Sequence, residues 1–327
     1  MTSPELNSAE TGVSFVITVY NKSDRLPEVI EGLRQQEGGF DREFIFIDDG
    51  STDDSVGVIK RDTIDLPNVT IVHQENAGPS WAINAGLARV RFPYVKGLDG
   101  DDVLSPRATS LLLAAIRTTG CPVAYGSCLP FQPGQDPLTA QRDALSVTLP
   151  PAVRIERPLE RMMPGQLFGN PSAWLASRAL LLAAGGADPR VFIQDVSITL
   201  RMAARASFAI LDYPVFFWPQ EADDRLSGNQ LQILHDVNRA YANFFAEHPN
   251  LPPGMRWQAA KRLTGRAWKW AHRKQGAGIG SEDFWRYARS LLGLGDPLAL
   301  MNGSCSSFIG TIRVPPKDSI APALPAA

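Results

Sequence analysis

Residues 94–102 read Tyr94-Val95-Lys96-Gly97-Leu98-Asp99-Gly100-Asp101-Asp102, a short extended segment that runs directly into three carboxylates. The first five residues have the look of a strand, and the acidic, glycine-containing remainder that of a turn at its carboxyl end. Three comparable segments precede it. Residues 13–20 form a β-branched and aromatic run, the pattern of a strand buried on both faces. Residues 43–47 end in Asp48, Asp49 and Gly50, and residues 69–73 end in Gln74 through Gly78. Helical patterns fall between them. One runs to about residue 36, with Ser23 as a candidate N-cap and Pro27 in the first turn, and another spans 82–90. Strands alternating with helices predict βαβ units and a parallel sheet.

In such a sheet ligands bind beyond the carboxyl ends of the strands, where two of these four segments place clustered aspartates. A rim of carboxylates repels a phosphate unless a divalent cation stands between them, so the pattern itself asks for a metal. Composition agrees with an acidic rim. Residues 1–110 carry 18 Asp/Glu against 10 Lys/Arg, a net −8, whereas the whole chain of 327 residues has 34 against 32 and a net −2. The remainder is therefore +6. A 44% hydrophobic, 20% charged chain excludes disordered and collagenous classes, and its near-neutral total argues against a nucleic-acid partner. Three cysteines, Cys121, Cys128 and Cys305, suit neither a zinc site nor a disulfide framework. With no basic, apolar leader at residues 1–10 and no apolar run near 20 residues, the expected setting is cytoplasmic, with any membrane contact peripheral.

Beyond residue 107 the pattern predicts a helix at 110–118, a strand at 123–125 and a proline-rich loop region over 129–152. A βα-like stretch follows at 170–184, then a helix at 196–205 that Asp195 could cap, a strand at 207–218, and helices over 228–295 broken near Pro249–Pro253. The proline-rich tail after 314 reads as disordered.

Five motifs occur in order: residues 16–21 (Val-Ile-Thr-Val-Tyr-Asn), 47–53 (Ile-Asp-Asp-Gly-Ser-Thr-Asp), 75–80 (Glu-Asn-Ala-Gly-Pro-Ser), 84–87 (Asn-Ala-Gly-Leu) and 98–106 (Leu-Asp-Gly-Asp-Asp-Val-Leu-Ser-Pro). Together they resemble the inverting glycosyltransferases of family 2, over roughly residues 13–225. The resemblance implies a GT-A fold, an α/β architecture with a Rossmann-like, mostly parallel central sheet flanked by helices, here with a helical C-terminal extension. It implies that Thr18 and Tyr20 line the base and ribose of a nucleotide-diphospho-sugar, that Asp49 accepts a hydrogen bond from the base, and that Asn21, Asn76, Gly78, Asn84 and Gly100 belong to the same donor site. Asp99 resembles the first Asp of the family's Asp-x-Asp, near ribose and metal. Asp101 resembles the one that binds Mn²⁺ or Mg²⁺, with Asp102 as its partner. For Asp48 a turn carboxylate holding the Ser51 or Thr52 amide is an equal reading. Where the family often has Ala-Arg-Asn, this chain has Ala82-Ile83-Asn84, so a basic residue near the nucleotide is missing.

In the second half, Gln194-Asp195 resembles the acidic pair whose second member is the catalytic base, with Gln194 replacing the first acid. An inverting transfer needs one such carboxylate to take the acceptor hydroxyl's proton. A plain helix N-cap is the alternative for Asp195. Residues 218–227 resemble the family's mobile loop, though without its usual metal-contacting His, and Arg225 reads either as a diphosphate contact or as an exposed loop arginine. Asn170 and Trp174 are the candidate acceptor-binding residues for a saccharide or lipid-linked hydroxyl. Residues 256–274 hold seven basic and no acidic residues with Trp257 and Trp270 near helical period. That segment reads either as a helix resting on an anionic membrane or as an apolar stripe docked on the catalytic domain.

The expected organisation is a tail (1–12), a nucleotide-sugar half (13–106), an acceptor and base half (107–227), a helical region (228–313) and a terminal tail (314–327). The expected activity is metal-dependent, inverting sugar transfer. A catalytically silent nucleotide-sugar-binding module, recruiting a partner through its helical region, is the alternative from another class.

Overall fold

The uncharged run Val13–Val19 forms strand β1, and every residue of it except Thr18 is buried. The computed structural model describes residues 11–132, 135–140, 151–165, 168–220, 229–314 and 324–325. Within it β1 pairs in parallel with β2 (Arg42–Asp48) and β4 (Tyr94–Asp99), and β2 pairs in parallel with β3 (Val69–His73). Among the described residues the sheet has the order β3-β2-β1-β4-β8-β6-β9-β5, with β7 on β9. Here β5 is Val103–Leu104, β6 Val123–Phe131, β7 Val153–Glu156, β8 Trp174–Ser177 and β9 Phe208–Pro219. Direction changes at β8, which runs antiparallel to both β4 and β6. The first four strands are therefore the parallel sheet that the alternating pattern predicts.

Alternation along β1 divides the core. Val13, Phe15, Ile17 and Val19 pack with helix α1 (Leu26–Arg34), α2 (Ser55–Asp62) and α4 (Ala108–Thr119). Val16 faces the other layer, with α3 (Pro79–Leu87) and, in the second half, α5 (Pro158–Met162), α6 (Arg178–Ala184) and α7 (Asp195–Ala203). A one-residue slip would invert both layers, so the register is held by burial on two sides.

Three local expectations change. Ser23 does not cap α1, whose N-cap position is Arg25 without a side-chain bond; the Ser23 amide instead donates to Asp53 Oδ2 at 2.9 Å. Helix α2 was not foreseen, because only Ser55, Val58 and Ile59 of its eight residues are buried and the apolar period is too sparse to read. Asp195 is the first residue of α7 rather than its cap, a position held by Gln194.

Helices α8 (Gln230–Glu247), α9 (Pro253–Gln275), α10 (Glu282–Leu292) and α11 (Pro297–Ser304) form the C-terminal layer, interrupted near residues 248–252 as the prolines predict. Helix α9 buries Ala259, Ala260, Leu263, Ala267 and Ala271, and Trp270 meets Phe308 with ring centroids 6.2 Å apart. Trp257 packs against the main core. The stripe is thus docked on the protein, with Trp257 and Trp270 half-buried and Lys261, Lys269, Arg273 and Lys274 exposed. Among the described residues no helix is long and apolar enough to cross a membrane. The tail expected to be disordered lies mostly outside the described residues.

Candidate active site

The carboxyl ends of β1, β2 and β4 open onto a cleft of about 1370 Å³, lined on this side by Thr18, Tyr20, Lys22, Asp49, Asn76, Asp99, Gly100 and Asp101. The facing wall contains Tyr125, Asn170, Gln194, Asp195 and Trp218, together with Gln232 and Asp236 of α8. Donor and base candidates from separate halves of the sequence therefore share one cavity.

Asp49 is held from behind. Its Oδ1 accepts from Gln74 Nε2 at 2.7 Å and the Ala77 amide at 3.0 Å, and its Oδ2 from the Gly78 amide at 2.8 Å. Burial pushes its pKa up, and these donors only partly offset the push. Such a carboxylate is oriented before any ligand arrives.

The acidic turn after β4 is built by close approach of backbone. The Gly100 amide donates to the Thr18 carbonyl at 2.9 Å, and a Cβ on Gly100 would lie 2.8 Å from that oxygen. Only glycine fits. Thr18 Oγ1 donates to Asp99 Oδ1 at 3.3 Å, and the Asp99 amide donates to Ser172 Oγ at 3.1 Å. Beneath the turn, the fully buried Lys96 donates to the carbonyls of Gly97 at 2.8 Å and Ser172 at 2.6 Å. Burial lowers its pKa to about 7, against the opposing pull of Asp102 and Asp99. Asp102 accepts from Asn170 Nδ2 at 3.2 Å.

Asp101 lies with its Oδ2 3.2 Å from Lys22 Nζ. Among the described residues no group of three His, Cys, Asp or Glu side chains could enclose a metal. The donor set of Asp99 and Asp101 fits a hard cation held by one or two carboxylates whose other positions come from diphosphate oxygens and water, not a closed protein cage.

Across the cleft, Gln194 Nε2 donates to Asp99 Oδ1 at 3.2 Å. An acid at this position would face Asp99 with like charge, whereas the Gln194 amide donates to it. Asp195 follows at the start of α7, where the helix dipole favours its negative charge. Burial raises the pKa of Tyr125, and the nearby Cys128 and Asp195 add to the rise.

Several motif residues do not reach the cleft. Asn84 makes a two-way clamp on Ala187, with Nδ2 to the carbonyl and Oδ1 from the amide, both at 2.9 Å. Asn21, at φ 50°, accepts from the Thr52 amide at 2.7 Å and holds one loop to another. Gly78, at φ 92°, is needed because a Cβ would lie 2.6 Å from the Phe192 ring. Asp48 accepts from the Ser51 amide at 3.2 Å and contacts His73 Nδ1 at 2.5 Å, so it is a turn carboxylate. Trp174 is corrected outright: only 1% exposed, it lies in the core over Gly97, where a Cβ would come 3.1 Å from its ring. Arg225 lies outside the described residues.

Lys22, Ser172 and Arg313 belong to the site or its support and were not foreseen. Lys22 adjoins a recognised motif. Arg313 lines the cleft from the far end of the chain, with its amide donating to Gln232 Oε1 at 2.7 Å, and no local pattern marks it.

A model of the family described as Glycosyl transferase family 2 matches residues 14–181. The uncharacterized glycosyltransferase YibD of Escherichia coli K12 is 37% identical over 101 residues, which is 31% of this chain and 29% of that protein. The chain thus matches under a third of that relative's length. Among solved structures, S. aureus TarS 1–349 superposes with a TM-score of 0.62 at 15% identity, covering 91% of this chain and 83% of that one. The mannosyltransferase PcManGT from Pyrobaculum calidifontis, in complex with GDP-Man and Mn²⁺, gives 0.51 at 17% identity, covering 91% and 85%. At these identities the structural likeness is one of fold.

Proposed function

Because the chain belongs to glycosyl transferase family 2, we propose that it moves a sugar from a nucleotide-diphospho-sugar to a hydroxyl acceptor with inversion at the anomeric carbon. One observation carries this: Asp49 after β2, and Asp99 and Asp101 at the end of β4, line one cleft with Asp195. Residues 13–106 then supply the donor half and residues 107–227 the acceptor and base half. TarS in complex with UDP-GlcNAc shares the fold, with a TM-score of 0.61, and supports a nucleotide sugar as donor.

In this reading Thr18, Tyr20 and Asp49 bind and orient the nucleoside. Asp99 and Asp101 would hold Mn²⁺ or Mg²⁺, which when bound offsets the negative charge that gathers on the departing diphosphate. The Asp195 carboxylate takes the acceptor hydroxyl's proton as that oxygen attacks the anomeric carbon. The bond from that carbon to the diphosphate breaks on the opposite face, and its electron pair leaves with the nucleoside diphosphate. Asn170, tied to Asp102, and the wall at 125–128 shape the acceptor side. The acceptor class is a saccharide or lipid-linked saccharide of polysaccharide or glycolipid synthesis. For a lipid-linked one, the exposed Lys261, Lys269, Arg273 and Lys274 of α9 would face an anionic, cytoplasmic membrane surface. The silent-module alternative is disfavoured because the base candidate remains in the cleft.

A thermal-shift screen of sugar nucleotides with and without Mn²⁺ tests the donor and metal together, since a ligand that binds only the folded state raises its melting temperature. Asp101→Ala should remove the Mn²⁺-dependent part of the shift. No shift with any sugar nucleotide would refute the donor site.

A further inference from the structure

A cation already stands among the rim carboxylates. Lys22 Nζ and Asp101 Oδ2 are 3.2 Å apart, on side chains only 14% and 10% exposed. The root of that lysine is fixed. The amides of Asn21, Lys22 and Ser23 donate to Ser51 Oγ, Ser55 Oγ and Asp53 Oδ2, each at 2.9 Å, so three consecutive peptides are bound to the loop after β2 and the first residue of α2. Beyond the fixed Cα lies a flexible four-carbon stem ending in a point charge. The backbone cannot follow a ligand, but the ammonium can swing.

An ammonium and a divalent cation cannot share one carboxylate edge at contact distance without strong repulsion. Occupation of Asp101 by Mn²⁺ or Mg²⁺ must therefore move the Lys22 charge. Tethered at its root, that charge remains in the cleft. Among the described residues lining the cleft the cations are Lys22 and Arg313, against the carboxylates of Asp49, Asp99, Asp101, Asp195 and Asp236. A bound diphosphate brings the negative charge best able to receive it.

We infer that Lys22 is the resident counter-cation of Asp101, that a divalent ion displaces it, and that it then pairs with the donor's diphosphate. Lys22 thus exchanges one anion for another, so that metal and donor each bind more weakly alone than together. This rests on the donor-site reading given above.

Full-length Lys22→Met and Lys22→Arg test it, with Mn²⁺ alone followed by electron paramagnetic resonance of the free ion. Nucleotide binding is measured calorimetrically in Mn²⁺, using UDP and GDP, each against its monophosphate. Lys22→Met should bind Mn²⁺ alone about tenfold more tightly and the diphosphate about tenfold more weakly, with the monophosphate unchanged. Lys22→Arg should keep diphosphate affinity. Lys22→Gln, which loses only the charge, should match Lys22→Met if the latter folds poorly. Unchanged Mn²⁺ affinity, or equal losses for diphosphate and monophosphate, overturns the inference alone. A wild-type chain that binds neither Mn²⁺ nor any of these nucleotides overturns the donor-site reading with it.

Discussion

Two polar clusters flank helix α3, and they use similar side chains to different ends. At the junction of α3 with α7 and α8, every named group is matched by protein. Asn84 clamps Ala187, while Asp188 accepts from Arg190 Nε at 2.7 Å, from Arg190 Nη2 at 2.8 Å and from Asn243 Nδ2 at 2.8 Å. Arg190 and Arg201 both also reach Glu247. At the strand-end rim, Gln74 and the Ala77 and Gly78 amides donate to Asp49, Thr18 Oγ1 and Gln194 Nε2 donate to Asp99, and the carboxylates border the cleft. The first cluster fastens α3, α7, α8 and the segment before α7 to one another; the second is shaped to receive something from outside. Motif strength does not distinguish them, since Asn84 and Asp99 both belong to recognisable motifs.

The largest test of this contrast is Asp195→Asn. It should lower the transfer rate by about 10³-fold, within the usual range for a lost general base, while leaving Mn²⁺-dependent nucleotide binding intact in a calorimetric titration. A variant that transfers normally would move Asp195 from the rim class to the structural one.

Asn84→Ala should do the reverse. It leaves a buried amide and a buried carbonyl of Ala187 unmatched, so urea unfolding should show a loss of about 2–4 kcal/mol, with nucleotide affinity of the folded fraction unchanged. A selective loss of nucleotide affinity would return Asn84 to the donor site.

Proton linkage separates the clusters by sign. Burial pushes Asp188 upward, but Arg190 and the other donors outweigh it and hold the pKa below the ordinary 3.8. Its contribution to stability is therefore present above 3.8 and lost as pH falls through the lower folded value. Asp49 is shifted the other way by burial, so its contribution is present below 3.8 and lost as pH rises through its raised value. Stability measured against pH should change slope in opposite directions for Asp188→Asn and Asp49→Asn. Slopes changing in the same direction would erase the distinction.

The smallest expected effect lies outside both clusters. Exposed Lys269→Glu and Arg273→Glu should alter folding stability by no more than about 0.5 kcal/mol. Co-sedimentation with anionic vesicles should weaken in these variants if the acceptor is lipid-linked, and unchanged sedimentation would remove α9 from membrane contact.

Sequence alone makes the donor half legible because β1 through β4 are short strand-like runs alternating with helices, and at β2 and β4 the run ends in clustered aspartates, two signals that coincide locally. Asp195 is legible because its motif is also local. Helix α2 is hidden by its sparse apolar face. That Asn84, Asn21 and Gly78 lie off the cleft is not legible, because a motif records which residues are required without recording whether a ligand or the backbone requires them. The burial of Trp174 is not legible because it depends on a distant glycine: the missing side chain of Gly97 opens the core space that its ring fills. Lys22, Ser172 and Arg313 depend on approach across long separations; Ser172 supports Asp99 from 73 residues away.

The bond from Gln194 to Asp99 spans 95 positions in sequence and lies next to the proposed base. It acts as a gauge between the two sides of the cleft. Any drift of α7 away from β4 is opposed at that amide before it reaches Asp195. The spacing between proton acceptor and leaving-group rim is thus referenced to a strand end and a helix start, not to the loops that admit substrate. Those loops can vary in length or sequence to suit a different acceptor while the reacting distance is preserved.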